Sequence, residues 1–550
     1  MQLEKTLSNP YAHNYQLLIK NILNSPIGNN PNQEIVYKNE KRFTYTEFKK
    51  RVHRLANMLT DLGVKKGDTV GVMDYDSNRY LECYFAIPMI GAILHTINIR
   101  LSSEQILYTI GHAEDDVLLV HNDLLPMLEH IKGRLNLNQI VAICESDDTV
   151  KTTIPLAGEY EDLLAKSKDF FDFPDFSENT RATTFYSTGT TGMPKGVYFT
   201  HRQLVLHTLG ALSTLASAPK QGNFHQDDVY MPITPMFHVH AWGLPYVATM
   251  LGVKQVYPGR YVPDLLLELI DKEKVTFSHC VPTIMHMLFN SPKINNIDLS
   301  HWKVIVGGAA LPKAMCQEGL RRGIDMFTGY GMSETCPILS LAQLTPAMLE
   351  LDDAEQSDIR AKTGRPMGLV EIKIVDDDMK VLPHDGNATG EIVVRSPWLT
   401  QGYFKDQKNS DILWQGGYLH TGDMANIDRS GYIKITDRTK DIIKVGGEWV
   451  SSLELEDIIN QYPFVKEVAV IGINDEKWGE RPLGLVVLDE GKKAEVTEKD
   501  ILLHAKGFIQ KGIMARESML LKIQFVDSIE KTSVGKINKK ELRLKYNSQN

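Results

Sequence analysis

Strand-like and helix-like segments alternate through most of this chain, and that alternation constrains its fold more than any other feature. Such an order predicts a sheet with helices packed over its faces. Thr44-Tyr-Thr-Glu47 has the spacing of a capping box, in which a hydroxyl and a carboxylate satisfy the free N–H groups of a helix start. Phe48, Val52, Leu55, Ala56 and Leu59 follow at helical spacing, and Gly63 supplies a stop. Thr69–Met73 then reads as a buried strand, as do Val117–Val120 and Val304–Val306. A chain of 550 residues is long enough for more than one domain.

The pattern changes near Asp437. Gly431–Thr436 alternates like a strand, and the charged, then glycine-rich stretch "DRTKDIIKVGGEW" follows it. Ser451-Ser-Leu-Glu454 again has capping-box spacing and opens an amphipathic helix, and Val468–Ile471 and Leu483–Val487 read as strands. The last hundred or so residues can therefore build a small α/β domain of their own. The predicted division is a large N-terminal α/β domain over residues 1–436 and a smaller one over 437–550.

Charge and cysteine content limit the function classes. Sixty Lys and Arg stand against 69 Asp and Glu, a net charge of −9, which argues against a general nucleic-acid binder. The five cysteines are odd in number and far apart, with no CxxC pair, so neither a disulfide framework nor a zinc site is expected. The opening Met-Gln-Leu-Glu-Lys-Thr has no apolar run of the kind a signal peptide carries, and no apolar stretch is long enough to span a bilayer. A cytoplasmic protein is expected.

Residues 186–201, "YSTGTTGMPKGVYFTH", concentrate three glycines, hydroxyl side chains and Lys195 in one loop. A Walker loop needs Gly, four residues, then Gly-Lys-Ser/Thr. Here Pro194 stands where that second glycine would be, and Gly196 follows Lys195. Even so, glycines let backbone N–H groups converge on an anion, and Ser187, Thr188, Thr190 and Thr191 can donate to phosphoryl oxygens. A surface turn is the plainer reading of such a loop. The density of donors after the strand-like Ala182–Tyr186 favours an anion site, of a kind that composition does not specify.

At this loop the chain resembles the adenylate-forming superfamily of acyl-CoA synthetases, adenylation domains and luciferases. The same order of motifs continues with "TPMFHVHAWG" (234–243), "VGGAALP" (306–312), "GYGMSETCP" (329–337) and "GYLHTGD" (417–423). "DRTKDIIKVGGEWVSSLELE" (437–456) and "KTSVGKINKKELR" (531–543) complete it. The wording of "FHVHAWG", "GGEWVSS" and "KTSVGK" is most similar to medium- and long-chain fatty acyl-CoA ligases. The resemblance implies two steps: a carboxylate attacks the α-phosphate of ATP, and the thiol of CoA then displaces AMP. It also implies Mg²⁺ and a small C-terminal domain that rotates between the half-reactions.

The resemblance gives residues their roles. Ser187, Thr188, Gly189, Thr190, Thr191, Gly192 and Lys195 would hold the departing phosphates. Glu334, with Thr188, would hold Mg²⁺. Gly308, Ala309 and Tyr330 would border the adenine, Gly331 and Ser333 would also bind ATP or AMP, and Asp423 and Arg438 would border the ribose. Lys536 would bridge the attacking carboxylate and the α-phosphate; by itself it belongs to a basic run with Lys531, Lys539 and Lys540 that reads as a solvated face. His238 and Trp242 would wall the acyl pocket, Trp242 as an aromatic gate, although core packing explains a tryptophan equally well. Asp437 would be the hinge. Lys440, Lys444, Gly446 and Gly447 would line the CoA channel, with Lys444 serving thioester formation. His238 and His240 flank Val239, and on a strand they would share one face as a metal pair, but no third ligand lies nearby.

Several readings remain open from sequence. They are a ligase for a short, aromatic or sulfur-containing acid, an acyl-AMP ligase that loads a carrier protein, a luciferase-like oxygenase, and a silent nucleotide-binding module. Close relatives are often dimers, so a homodimer is an expectation, as is peripheral membrane association through a lipid substrate.

Overall fold

The computed structural model describes residues 9, 11–145, 150–187, 193–446, 448–492, 495–510, 516–532 and 536–547. Two largely parallel sheets form the body of the protein. The seven-stranded sheet runs in the order Gly158–Glu159, Gln139–Ile143, Asp115–His121, Thr69–Met73, Ile93–Thr96, Arg181–Ser187, Lys195–Thr200. All its neighbours are parallel except the last pair, which is antiparallel and flanks the glycine-rich segment in sequence.

The nine-stranded sheet has a parallel centre built from Asp325–Gly331, Lys303–Gly307, Phe277–Cys280, Val229–Ile233, Lys254–Tyr257 and Glu34–Tyr37. Antiparallel strands close both edges. Alternation along each strand divides the side chains between two cores. Val304 and Val306 enter one with Met231 and Ile233; Ile305 enters the other with Tyr230, Phe277, Phe327 and Trp242. Strands that are buried on both faces read as continuous apolar runs, which is why these segments were legible.

Local signals behave as their chemistry requires. The helix Tyr45–Asp61 begins with a full capping box between Thr44 and Glu47, and Gly63 follows it at φ +95°. The helix His201–Ala216 has a second box, between Thr200 and Gln203. Ser451 caps the helix Ser452–Asn460 by accepting from Glu454 N at 3.1 Å.

A four-stranded antiparallel sheet, Glu371–Val375, Gly390–Arg395, Leu419–Ile427 and Ile433–Arg438, leads into the C-terminal region. The division expected at 436/437 falls inside the strand Ile433–Arg438, near its end. That strand starts two residues later than the alternation suggested, because Gly431 takes φ +81° in the turn before it. Beyond it, Gly479–Leu488 and Val465–Asp475 pair along ten registered positions in a five-stranded sheet. Val468 and Val470 face one small core, Ala469 and Ile471 the other. All five cysteines are buried free thiols. Among the described residues no helix is long and apolar enough to cross a membrane.

Candidate functional site

Polar side chains converge where the parallel strands of the large sheet end. Asp423, on Leu419–Ile427, accepts from the Tyr330 hydroxyl at 2.7 Å through Oδ2. Its Oδ1 lies 3.3 Å from the Arg438 guanidinium. Strand pairing enforces the second contact, since Asp423 and Arg438 are direct antiparallel partners. Burial, and the carboxylate of Asp423 beside it, raise the Tyr330 phenol well above its ordinary pKa, so it remains a donor.

The turn after Tyr330 can be made only with glycine. A Cβ on Gly331 would stand 1.8 Å from Pro337 O, and one on Gly308, at φ +76°, would meet Val281 at 3.2 Å. Ser333 and Glu334 follow in a short 3₁₀ turn, and Ala309 is exposed just past the strand Lys303–Gly307. Glu334 is held at both ends: its carbonyl accepts from Thr400 N at 2.9 Å, and its Oε1 from the Tyr403 hydroxyl at 2.7 Å. The ring of the same tyrosine carries the Lys195 ammonium 4.6 Å from its centre. Ser187 closes the base of the loop through Lys195 O at 3.4 Å. Thr188, Gly189, Thr190, Thr191 and Gly192 lie outside the described residues, as does Gly447.

Lys536 enters from the C-terminal domain. Its N–H donates to Thr532 Oγ1 at 3.2 Å, and Thr532 N donates back to Lys536 O at 2.6 Å. Glu530 supplies its carbonyl to Asn538 N and its carboxylate to Lys545 at 2.6 Å. The Lys536 Cε is 3.6 Å from the position a Cβ would take on Gly308. Burial and the Arg438 guanidinium bring its ammonium down to about 8, with Asp423 and Glu334 pulling the other way. Near neutral pH it is a cation poised close to deprotonation.

His238 lies close enough to Lys536 and Arg100 to feel their charges. Burial first, and those two cations next, bring its pKa to about 3, so the imidazole is neutral. His238 and His240 lie on no strand, so the shared face that alternation on a strand would give them does not arise. After His238 the backbone turns left-handed for five residues, with φ of 49°, 55°, 46° and 59° at Val239, His240, Ala241 and Trp242, then 72° at Gly243. A non-glycine residue in that region costs on the order of 1–3 kcal/mol, so the run persists because its surroundings hold it.

Those surroundings are visible. Asp76 accepts from Met236 N at 2.8 Å, Thr96 donates to Phe237 O at 3.0 Å, and the Tyr84 hydroxyl donates to Met236 O. His240 sits among the rings of Tyr84, Phe185, Phe199 and Tyr246. Its two nitrogens have no partner among the described residues, and burial brings its pKa to about 3. His240 is thus a core residue, and no group of three or more metal-ligating side chains occurs among the described residues. Trp242 is buried over Gly307 and near Gly308.

Asp437 is buried near the end of its strand. Its Oδ2 accepts from Ser452 N at 2.6 Å and its Oδ1 from Ser452 Oγ at 3.0 Å. Lys539 continues the chain by donating to Ser452 Oγ at 2.6 Å and pairing with Glu456 at 2.7 Å. Burial raises the Asp437 carboxyl, and Lys539 opposes that. Lys440 is within reach of the charges of Arg438 and Asp423, and burial lowers its pKa. Lys444 is not brought into the cluster. Its side chain is exposed on Ile443–Val445 and its N–H donates to Glu480 at 2.8 Å. Gly446, at φ +62°, abuts the Trp478 ring.

Thr400 and Tyr403 were not expected from sequence. "TQGYF" carries no signal of its own, since its importance arises only where the tyrosine meets Glu334.

Residues 25–404 match the model of the AMP-binding enzyme family, and residues 454–536 that of the AMP-binding enzyme C-terminal domain. The chain is 40% identical over 508 residues to a long-chain-fatty-acid–CoA ligase of Thermus thermophilus, covering 92% of this chain and 90% of that protein. It is 38% identical to a 3-methylmercaptopropionyl-CoA ligase of Ruegeria pomeroyi, with 90% of each covered. Identity to a medium-chain-fatty-acid–CoA ligase of Ectopseudomonas oleovorans is 35%, over 92% and 91%. Among solved structures, a fatty acyl CoA synthetase of Mycobacterium tuberculosis superposes with a TM-score of 0.70 at 26% identity, covering 97% and 99%. An anthranilate CoA ligase bound to anthranoyl-AMP superposes with a TM-score of 0.83 at 25%, covering 96% and 97%.

Proposed function

Because the chain belongs to the AMP-binding enzyme family, we propose that it is an ATP-dependent fatty acid–CoA ligase that works through an acyl adenylate. The observation that carries the reading is the approach of Lys536, from the C-terminal domain, to Gly308 and into the field of Glu334 and Asp423. In the first step a carboxylate oxygen bonds to the α-phosphorus and the bond to the β-phosphate bridging oxygen breaks, releasing pyrophosphate. Two anions must approach each other, and the Lys536 ammonium supplies the charge that lets them. Asp423 and Arg438 orient the ribose, Tyr330 and the Gly308–Ala309 backbone border the adenine, and the loop of residues 187–195 receives the departing phosphates. Neutral His238 presents a wall to the acid without adding charge.

In the second step the CoA sulfur bonds to the acyl carbon and the bond to AMP breaks. Lys440, Lys444, Gly446 and Gly447 are the residues assigned to that step, reached by rotation about Asp437, with the domains dividing near residue 437. Exposure of Lys444 fits an arrangement set for the first step.

Magnesium fits the residues present. It takes one or two carboxylates together with phosphates and waters, and Glu334, with one oxygen fixed by Tyr403, offers such a carboxylate. Bound there with Thr188, the ion would neutralise phosphate charge. A cytoplasmic homodimer belongs to the same reading and is tested by fractionation and sedimentation.

The deciding experiment follows AMP release from C8 to C18 acids and from short acids, with and without CoA. CoA-dependent AMP and thioester from the C8 to C18 acids are expected. A second reading, a ligase for a short sulfur-bearing acid, is favoured by the 38% identity to the 3-methylmercaptopropionyl-CoA ligase. Turnover of short acids alone would establish it in place of the first.

A further inference from the structure

The sheet face covered by Trp242 is not wholly apolar. The indole packs on Gly307, where a Cβ would stand 3.0 Å from it. Beyond it lies the His279 ring, 5.0 Å away between centroids and tilted by 40°. His279 is completely buried on the strand Phe277–Cys280. Its Nε2 is 2.7 Å from the Tyr230 hydroxyl, and the two rings are nearly parallel, at 10°.

The other nitrogen, Nδ1, has no hydrogen-bond partner among the described residues. Burial brings the pKa of His279 to about 3, so the ring is neutral and its polarity is that of one donor and one acceptor. A buried polar atom without a partner calls for an explanation, and a ligand that completes its hydrogen bonding is one. Lys536 and Trp242 both border Gly308, and Trp242 in turn borders His279. If the indole turns aside, the imidazole is the next group that an acyl chain meets.

We propose that His279, held by Tyr230, is a specificity-determining residue of the acyl pocket, selecting fatty acids that carry a hydroxy or oxo oxygen along the chain over unsubstituted acids of the same length. This rests on the ligase reading and on Trp242 as the pocket wall. A bare methylene chain laid against His279 leaves Nδ1 unpaired, whereas a chain oxygen pairs it. A hydroxyl can do so in either tautomer. An oxo group can do so only when Tyr230 donates to Nε2 and Nδ1 carries the hydrogen.

The test compares wild type with His279→Leu and His279→Asn. CoA-dependent AMP release is measured for octanoate, dodecanoate and their hydroxy and oxo derivatives, with the oxygen moved along the chain. Wild type is expected to favour one oxygen position over the parent acid by about tenfold in kcat/KM, the scale of one neutral hydrogen bond. His279→Leu should erase that preference while still turning over the parent acid, and His279→Asn, which keeps a polar atom, should retain part of it. Equal rates for parent and oxygenated acids in wild type, or an unchanged preference in His279→Leu, would overturn the role of His279. Should His279→Leu fail to fold, loss or retention of the preference in His279→Asn relative to wild type decides, with a preference equal to wild type counting against the proposal. Absence of AMP release from every acid would overturn the ligase reading itself, which separates the two failures.

Discussion

Tyr403 donates its hydroxyl to Glu334 at 2.7 Å and so fixes one carboxylate oxygen of the proposed magnesium ligand. A hydrogen bond to a charged group contributes about 1.5–3 kcal/mol. Tyr403→Phe keeps the ring under Lys195 and removes only that bond. The expected outcome is a rise of roughly tenfold in the magnesium concentration needed for half-maximal adenylation, with little change in Tm. Titration of pyrophosphate exchange with magnesium measures it, and an unchanged titration would separate Tyr403 from the metal.

Lys536 should show itself in a pH profile. The lysine is a cation below its pKa and neutral above it, and its folded value is about 8. Adenylation kcat/KM, which reports the free enzyme, should therefore be level below that value and fall about tenfold per pH unit above it. His238, at about 3, adds no inflection near neutrality. Lys536→Ala should abolish acyl-AMP formation while sparing ATP binding and the reaction of supplied acyl-AMP with CoA. Adenylation near the wild-type rate in that variant would remove Lys536 from its role.

Asp437 anchors Ser452 through both carboxylate oxygens in the arrangement that brings Lys536 to Gly308. Asp437→Ala removes both bonds and should release the C-terminal domain from this arrangement. Adenylation should slow by roughly tenfold, as expected for the loss of two modest hydrogen bonds, and thiolysis of supplied acyl-AMP should slow less. Equal slowing of the two half-reactions, measured separately, would mean that Asp437 serves stability rather than domain position.

Gly331 makes a steric prediction. The Cβ of Gly331→Ala would sit 1.8 Å from Pro337 O, a backbone atom that cannot swing away. The strand Asp325–Gly331 or the turn at Glu334 must then shift, at an expected cost of about 1–3 kcal/mol in stability. Thermal unfolding should show a lowered Tm, and ATP binding should weaken with it.

The α/β architecture was legible because strands buried on both faces leave apolar runs and helix starts leave polar caps, as at Val304–Val306 and Thr44–Glu47. The backbone of "FHVHAW" was not. A left-handed run through Val239 and His240 opposes local preference and survives only because Asp76, Tyr84 and Thr96, distant in sequence, pin the backbone before it. Tyr403 escaped notice for a related reason, since nothing in its neighbours in sequence anticipates Glu334.

The order of motifs along the chain determined the family, the side chains that the proposed chemistry draws on, and the existence of a small C-terminal domain. Local periodicity and motif spacing are short-range properties, and a sequence displays them directly. Only the tertiary structure decided that Lys536 meets Gly308, that Tyr403 fixes Glu334, and that a neutral His279 lies behind Trp242. Those relationships join residues tens to hundreds of positions apart. Packing of whole sheets and domains sets both their distances and the burial that tunes Lys536 and His279.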